Sequence, residues 1–538
     1  MPSISPRTLK KRSRLSYKYV YYPEEEERYA RWLVVLLLIV FGFLLSLSFA
    51  PYSARFFAYI SFLPLFFVIG FETSYRRVFL YGFLFGLVFF FFHLWWLYFL
   101  IVPVAKLTKI LLYLGITMLL AYLALYVAVF SWITKFLGLI WAPFIWAVLE
   151  FLRTKSEIGF PWGLLGASQT PYVPIIQMAA ILGVYGLSSW VILVNLLFYY
   201  LIITKKRLFL LISLILLFLV PLGYGFFRIK KNNYLFQVAL VQPNVHPNEK
   251  GGWASRKRLT EELIFLTEKA AQERPKLIVL PETATLTDIT KDSALAFKFQ
   301  NIANQSGAYI FTGTPIFVPY CEVYYNGAVL FEPKISYSDS QYCPTPPVFS
   351  PIYRKIHLVP FSERIPYIDK IPVLKHLETQ DMGSCSPGNE YTIFELKDSL
   401  TPNSRFATLI CFEAIFPDLT RNFVCRGAQF LVNITNDGWF GNTPGPYQHC
   451  ELGILRSVEN GVALLRCANN GISLIADPYG RVLKKTSLFT MKILLGKVPA
   501  PLLNTIYRQY GDRFILVSDL LLLISLSVNI IKRLRKNL

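Results

Sequence analysis

Three short stretches of this chain carry residues able to do acyl chemistry. Glu282 stands in LIVLPET, directly after an apolar run and a proline. Ligands of α/β sheets collect beyond the carboxyl ends of strands. A carboxylate held there is partly desolvated, which raises its proton affinity and suits it to base work. Lys355 stands in YRKIHLVPFSERIP. An ammonium fixed ahead of a rigid LVPF turn is suited to stabilise a developing oxyanion. Glu363, eight residues on, is near enough in the chain to orient it. Cys411 closes FATLIC and precedes FEAIFPD, with Glu413 two residues further. A thiol at a strand end becomes nucleophilic when a base or cation assists it. Taken singly, each has a bland alternative: a helix-start carboxylate, a solvated lysine, an inert buried cysteine. Their combination, each beside a predicted strand and in the order Glu, Lys, Cys, is what makes the pattern informative.

The elements that must position these residues begin near residue 233. Charges return there, and short β-branched runs alternate with turn residues. Strands are expected at 236–241, 277–280, 309–313, 328–331, 406–411, 430–434 and 472–475, with a helix over 259–273 that Pro275 ends. Short continuous apolar runs alternating with helices imply sheets covered by helices. The stretch of about 280 residues therefore reads as one large α/β domain or a four-layer sandwich. Residues 344–351 form a proline-rich loop. All seven cysteines (321, 343, 385, 411, 425, 450 and 467) lie in this half. Without a CxxC pair, zinc-ribbon and thioredoxin readings are weak. Either all seven are structural thiols, or up to three disulfides leave one reactive thiol.

The preceding half is of different composition. Of the whole chain, 54% is apolar and 16% charged, with a mean hydropathy of +0.44; soluble domains carry roughly 25% charged residues. Between Trp32 and Phe227 there are three acidic residues, Glu72, Glu150 and Glu157, and 11 Lys/Arg. Apolar runs suggest spans at 32–50, 56–71, 78–101, 109–133, 136–152, 178–203 and 208–227, with an eighth at 514–531, most near the roughly 20 residues a bilayer requires. The first run is longer than the usual apolar stretch of a signal peptide, so an uncleaved anchor is expected. Basic residues favour the cytoplasmic side. The first 31 residues hold eight Lys/Arg, which puts the N-terminus inside. Arg76, Arg77 and Lys205–Arg207 then also fall inside; Lys106 and Lys109 run against the rule. The expected division is a basic cytoplasmic segment 1–31, seven membrane helices in 32–227, an extracytoplasmic domain 228–512, and a last span with a basic cytoplasmic tail in 513–538.

The Glu–Lys–Cys order resembles the nitrilase (carbon–nitrogen hydrolase) superfamily. A multi-span block ahead of such a domain, with one final span, resembles the apolipoprotein N-acyltransferase family of that superfamily. The supporting stretches are GFPWGLLGASQ (159–169), VALVQPN (238–244), KIHLVPFSE, NDGWFG (436–441), LLRCANNGIS (464–473) and TIYRQYGD (505–512). They cover roughly residues 30–530. The resemblance implies a polytopic α-helical membrane domain of about eight spans joined to an α-β-β-α sandwich. It implies Glu282, Lys355 and Cys411 as the catalytic residues, with Glu363, Glu413, Phe412, Trp253 and Trp439 in support. The implied reaction moves an acyl chain from a membrane phospholipid, expected to be phosphatidylethanolamine, to the N-terminal amine of a diacylglyceryl-modified apolipoprotein. The implied setting is a monomer in the bacterial inner membrane with its catalytic domain on the periplasmic side. Apolar residues of the loop that holds the lysine (Pro360, Phe361, Ile365, Pro366, Tyr367) are expected to dip into the membrane interface. Two positions depart from the family pattern: Ser362 replaces a usual glycine, and Phe412 replaces a usual tyrosine beside the thiol.

Two other classes compete. One is a membrane-tethered amidase or lipase-like hydrolase of the same superfamily, for which a single anchor suffices. The other is a transporter or receptor carrying a non-catalytic sensor domain, for which deep carboxylates in the spans are expected. His93 is the odd polar residue in the spans and is expected to be a hydrogen-bonded structural residue. The chain has no nucleotide loop, GxSxG elbow, zinc motif or EF-hand pattern. Its five histidines (93, 246, 357, 376 and 449) form no ligand set by spacing. Neither cofactor nor metal is implied. The net charge of +21 is met by the cytoplasmic ends and loops, so no nucleic-acid partner is needed.

Overall fold

The computed structural model describes the chain apart from residues 1–23, 53, 102–105, 247–248, 250–252, 320–322, 335–348, 350, 372, 374–384, 398–402, 503 and 538. The basic N-terminal stretch, Cys321, Cys343, His376 and most of the proline-rich loop lie outside the described residues.

The first half is helical: α1 (Glu24–Ser46), α2 (Leu63–Phe71), α3 (Tyr75–Leu94), α4 (Lys106–Leu137), α5 (Ala142–Arg153), α6 (Val173–Ile176), α7 (Ala179–Ile203) and α8 (Arg207–Arg228). Among the described residues, five helices are long and apolar enough to cross a membrane: Tyr75–Phe99, Lys109–Leu137, Ala179–Ile203, Arg207–Arg228 and Arg513–Ile531. The eight-span expectation thus divides. The apolar part of the first run, Arg31–Ser46, is shorter than a full span. The run at 56–71 splits into a 3-10 turn and α2, which starts at a proline. The run at 136–152 is broken at Gly138, where φ is +108°, leaving the 12-residue α5 with Pro143 in its first turn. Proline and a left-handed glycine end or restart helices, because one lacks an N–H and the other leaves helical φ. Outward faces of α8 are apolar and exposed; Phe227 is 81% exposed. Side chains this apolar on a continuous surface call for lipid around them.

The second half is an α-β-β-α sandwich. One sheet runs β12 (Lys492–Pro499), β1 (Tyr234–Gln242), β2 (Leu277–Val279), β3 (Tyr309–Val318), β4 (Val323–Phe331), β5 (Tyr353–Arg354). The other runs β11 (Val482–Lys485), β10 (Leu474–Ala476), β9 (Ala463–Ala468), β8 (Phe430–Thr435), β7 (Ser404–Ile410), β6 (Phe394–Leu396). The centre of each is parallel: β1, β2 and β3 in one, β7, β8 and β9 in the other. Alternate residues serve alternate layers. Val238 and Leu240 join Phe406 and Val432 in the core between the sheets, while Ala239, Val241 and Ile278 face the helices α9 (Trp253–Gln272) and α10 (Ser293–Ser306). Phe311 meets Phe394 and Phe406 edge-on across the gap, at 5.0 and 5.1 Å. The second sheet is covered by α11 (Pro417–Cys425) and α12 (Gly445–Asn460), before α13 (Ile506–Tyr510) leads into α14 (Arg513–Asn537). The expected helix over 259–273 starts six residues earlier, and β9, an arginine-bearing buried strand, is an element that apolar runs alone did not reveal.

The halves share one continuous core because α12 packs against α7. Gly183, at φ +67°, kinks α7 where a Cβ would lie 2.6 Å from the Tyr507 ring. Only glycine fits this turn and this approach.

Candidate active site

The carboxyl ends of β2, β5 and β7 converge on one crevice. After β2 the chain turns at Pro281, and Glu282 enters the gap between the sheets, 7% exposed. The turn leans on β3: a Cβ on Gly313 would lie 2.7 Å from the Pro281 carbonyl oxygen and the Thr283 nitrogen. Glu282 Oε1 accepts from Asn326 Nδ2 at 2.8 Å, and its Oε2 from the Asn436 N–H at 2.9 Å. Asn326 lies on β4 and Asn436 follows β8, so the carboxylate is held from both sheets.

Lys355 follows β5, only 1% exposed. Its N–H donates to the Asn326 carbonyl at 2.8 Å, and its own carbonyl accepts from Gly388 N–H at 2.7 Å. Its ammonium donates to Glu363 Oε1 at 2.8 Å and stands 3.6 Å from Glu282 Oε1. Burial alone would lower the ammonium's proton affinity, but Glu363 and Glu282 more than reverse this and hold it above the ordinary lysine range. It is a permanent cation. Glu363 is fixed in turn by Asn326 Nδ2 at 3.1 Å and Val359 N–H at 2.8 Å. Ser362, the expected departure from glycine, is exposed, and its N–H donates to the Val359 carbonyl at 3.3 Å. The loop residues expected at the membrane divide: Phe361 is 59% exposed, whereas Ile365 at 4% and Pro366 are packed inside.

Cys411 follows β7 at φ +51° and opens a 3-10 turn, Cys411–Ile415. A residue with a side chain enters this left-handed region only where its surroundings impose it. Burial, then Glu282, push the thiol up, while Lys355 pulls it down. The net direction is upward, so the resting sulfur is a thiol and needs a base to become a nucleophile. Glu282 and Lys355 both act on it electrostatically; the three groups expected from the sequence share one neighbourhood.

Glu413 is fully buried. Its Oε1 accepts from Tyr353 OH at 2.7 Å, Ile356 N–H at 2.7 Å and His357 N–H at 3.1 Å, and its Oε2 from Ile410 N–H at 2.7 Å. Burial pushes its pKa up to about 7 despite Lys355 nearby. With both oxygens committed to backbone on either side, it ties the lysine loop to the cysteine turn. Phe412 packs between Phe416 and Phe160, with centroids 5.2 and 6.2 Å away, so an aromatic face replaces the tyrosine. Trp439 is half-buried, and its carbonyl accepts from Ile101 N–H of the membrane half at 2.8 Å. Trp253 opens α9; its side chain is outside the description.

The geometry adds residues that spacing did not reveal. His449 Nε2 lies 3.0 Å from the Cys411 carbonyl oxygen, and its Nδ1 is 3.0 Å from Asp437 Oδ1 and from Arg466 Nη2. Arg466 also meets Asp437 Oδ2 at 2.6 Å. The sequence signals for these were Asp437's place within NDGWFG and Arg466's within LLRCANNGIS, with none for His449. Cys411, Asp437 and His449 lie close enough together to suggest a metal site. The donor set does not fit one, because the Arg466 guanidinium already occupies the carboxylate and a ring nitrogen. His93 belongs to the junction: its carbonyl accepts from Gln448 Nε2 at 3.2 Å, and its ring stacks on Phe89. Among the described cysteines, 385, 411, 425, 450 and 467 are free thiols.

Comparisons with known proteins agree over most of the chain. The family model for the apolipoprotein N-acyltransferase N-terminal domain matches residues 41–197, and that for carbon-nitrogen hydrolase matches residues 237–507. The apolipoprotein N-acyltransferase of Geobacter metallireducens is 33% identical over 503 residues, covering 89% of this chain and 92% of that protein. That of Chlorobaculum tepidum is 32% identical over 393 residues, covering 69% and 73%. A solved structure, Saccharomyces cerevisiae Nit3 of the nitrilase superfamily, is 20% identical with a TM-score of 0.36, over 53% of this chain and 96% of that one. With a membrane half and a hydrolase-type half both matched, in one order and over most of its length, this chain belongs to the apolipoprotein N-acyltransferase family.

Proposed function

We propose that this protein acylates the N-terminus of lipoproteins, moving a fatty acyl chain from a membrane phospholipid to the amino group of a diacylglyceryl-cysteine. The observation that carries the reading is the convergence of carboxylate, ammonium and thiol beside the membrane half, where Phe160 of that half approaches Phe412, the residue after the thiol.

Glu282 takes the proton from the Cys411 thiol, and the sulfur attacks the phospholipid ester carbonyl. Lys355 and a backbone N–H stabilise the tetrahedral oxyanion. The C–O bond breaks, Glu282 returns the proton to the departing alkoxide, and lyso-phospholipid leaves behind a thioester. The acceptor amine then attacks that thioester, losing a proton to Glu282, and the sulfur leaves as thiolate and recovers the proton. Two lipid substrates use one site in turn, giving ping-pong kinetics. Glu363 orients Lys355, and Glu413 holds both loops. Trp253 and Trp439 take the supporting aromatic role that the family resemblance implies. Phosphatidylethanolamine is the donor, and the protein acts as a monomer. The setting is the bacterial inner membrane: residues 1–31 and the tail of 513–538 cytoplasmic, the block 32–227 in the bilayer, and 228–512 on the periplasmic side. Positive-inside asymmetry supports this orientation.

The test is intact mass of the protein after incubation with phosphatidylethanolamine, for wild type and Cys411→Ala. One acyl increment, labile to hydroxylamine and absent from the variant, is the expected result. Free fatty acid without an adduct points to hydrolysis instead; neither product overturns the acyl-transfer reading with this donor.

A further inference from the structure

The carbonyl of Cys411 faces a ring nitrogen of His449 at 3.0 Å. A carbonyl oxygen only accepts, so Nε2 carries the proton. Nδ1 stands 3.0 Å from both Arg466 Nη2 and Asp437 Oδ1. Burial, then Arg466, lower the ring's proton affinity, so it rests neutral. His449, Arg466 and Asp437 are all buried, and Thr435 Oγ1 adds a donor to Asp437 Oδ1 at 2.9 Å. The network fixes the ring's orientation and aims its Nε2–H at the nucleophile's own backbone.

That donor has a consequence one bond further. A trans peptide is planar, with its C=O and N–H pointing in opposite directions. Holding the Cys411 carbonyl therefore fixes the direction of the Phe412 N–H. The N–H of the residue after a nucleophile is well placed to meet an acyl oxyanion. Cys411 at φ +51° is a position that needs such an outside clamp.

The clamp rides on α12, and α12 is fixed by the membrane half. Gln448 accepts from Trp96 Nε1 at 3.1 Å and Trp162 Nε1 at 2.8 Å. Glu451 makes a two-pronged pair with Arg55, at 3.0 and 2.6 Å. Adjacent residues of one helix thus touch the membrane half on one side and the nucleophile on the other.

We propose that His449 is a positioning residue of the acyl-transfer step: from α12, its Nε2–H holds the Cys411 carbonyl and so aims the Phe412 N–H at the tetrahedral oxyanion. This rests on Cys411 being the nucleophile.

The test uses full-length protein with phosphatidylethanolamine vesicles, following the Cys411 adduct by intact mass. His449→Gln keeps an amide N–H near the Nε2 position; His449→Asn stays polar but places its N–H near Nδ1. The Asn variant is expected to acylate about 10–100-fold more slowly, somewhat less than outright loss of an oxyanion donor, with an unchanged half-saturating phospholipid concentration. The Gln variant recovers to within about fivefold of wild type, on the same reasoning. Alkylation of Cys411 by iodoacetamide, which forms no oxyanion, proceeds at the wild-type rate in both. Acylation by the Asn variant at the wild-type rate, equal slowing in Asn and Gln, or parallel slowing of alkylation each overturns the proposal. Absence of any adduct on the wild type would instead overturn the reading of Cys411 as nucleophile.

Discussion

At the residue scale, Lys355 is a cation shared by two carboxylates, and Asn326 Nδ2 bridges the same two oxygens. This arrangement fixes the ammonium without neutralising its reach toward the thiol. Lys355→Met preserves length and removes the charge, so adduct formation is expected to fall about 10²–10³-fold, the range for loss of one oxyanion contact. A single-turnover mass assay checks it. Asp437 gives a prediction in pH. Burial alone would raise its pKa, but the Arg466 guanidinium outweighs that and holds the carboxyl well below the ordinary range. A depressed folded value means the stabilisation is present above the unfolded pKa, near 3.9, and is lost as pH falls below it. The melting temperature of wild type is therefore expected to drop steeply below about pH 4. Asp437→Asn is expected to be less stable at neutral pH by about 3–5 kcal/mol, because it leaves the Arg466 charge buried and uncompensated. Its melting temperature varies less between pH 5 and 2. Melting curves of both proteins across that range decide the matter.

At the element scale, strand ends place the chemistry and close backbone approaches set its fit. Gly313 on β3 lets the Glu282 turn sit against the sheet, with a 3.2 Å bond from its N–H to the Pro281 carbonyl. A methyl there meets backbone atoms at 2.7 Å, which no rotamer relieves. Gly313→Ala is expected to displace Glu282 and to slow acylation by about 10²-fold, in line with an ångström-scale misplacement, while the sheets still form. An unchanged rate with an unchanged melting temperature would count against this role for the turn. The strands that carry Glu282 and Cys411 were legible because LIVL and FATLIC are short apolar runs buried on both faces; Lys355 was read from the LVPF turn after it, since the two-residue β5 ahead of it is too short for an apolar run to mark. The roles of Asn326, Asp437, His449 and Arg466 were not legible. Their meaning lies in contacts between strands and helices far apart in sequence, and β9 hides behind an arginine that a hydropathy pattern counts as a break. Of the eight expected spans, five are long and apolar enough among the described residues; apolar runs record burial in lipid, not the interruptions that Gly138 and the helix-start prolines impose within them.

At the scale of the whole molecule, the sandwich is built onto the helical half and not merely tethered to it. The Val184 N–H donates to Glu459 Oε1 at 2.9 Å, Gln177 Nε2 to the Tyr479 carbonyl at 2.8 Å, and Lys155 pairs with Asp418 at 2.7 Å. The Arg55–Glu451 pair is the most telling of these contacts, since both side chains are largely buried and Glu451 shares α12 with His449. Taking one partner away leaves a charge in a site that offers it no water, a cost of about 3–5 kcal/mol. Taking both away and filling the space with apolar groups is nearly neutral in stability. Arg55→Met and Glu451→Met are therefore each expected to lower the melting temperature of the detergent-solubilised protein, and the double variant to stand above either single one. Additive losses would mean the two residues act independently. The activity of the double variant separates docking strength from docking geometry. An apolar junction keeps the halves together but no longer fixes the register of α12 through two directional bonds. Acylation is therefore expected to remain below wild type even where the melting temperature has recovered, because the Cys411 carbonyl is met from α12, and α12 takes its register from its bonds to the membrane half.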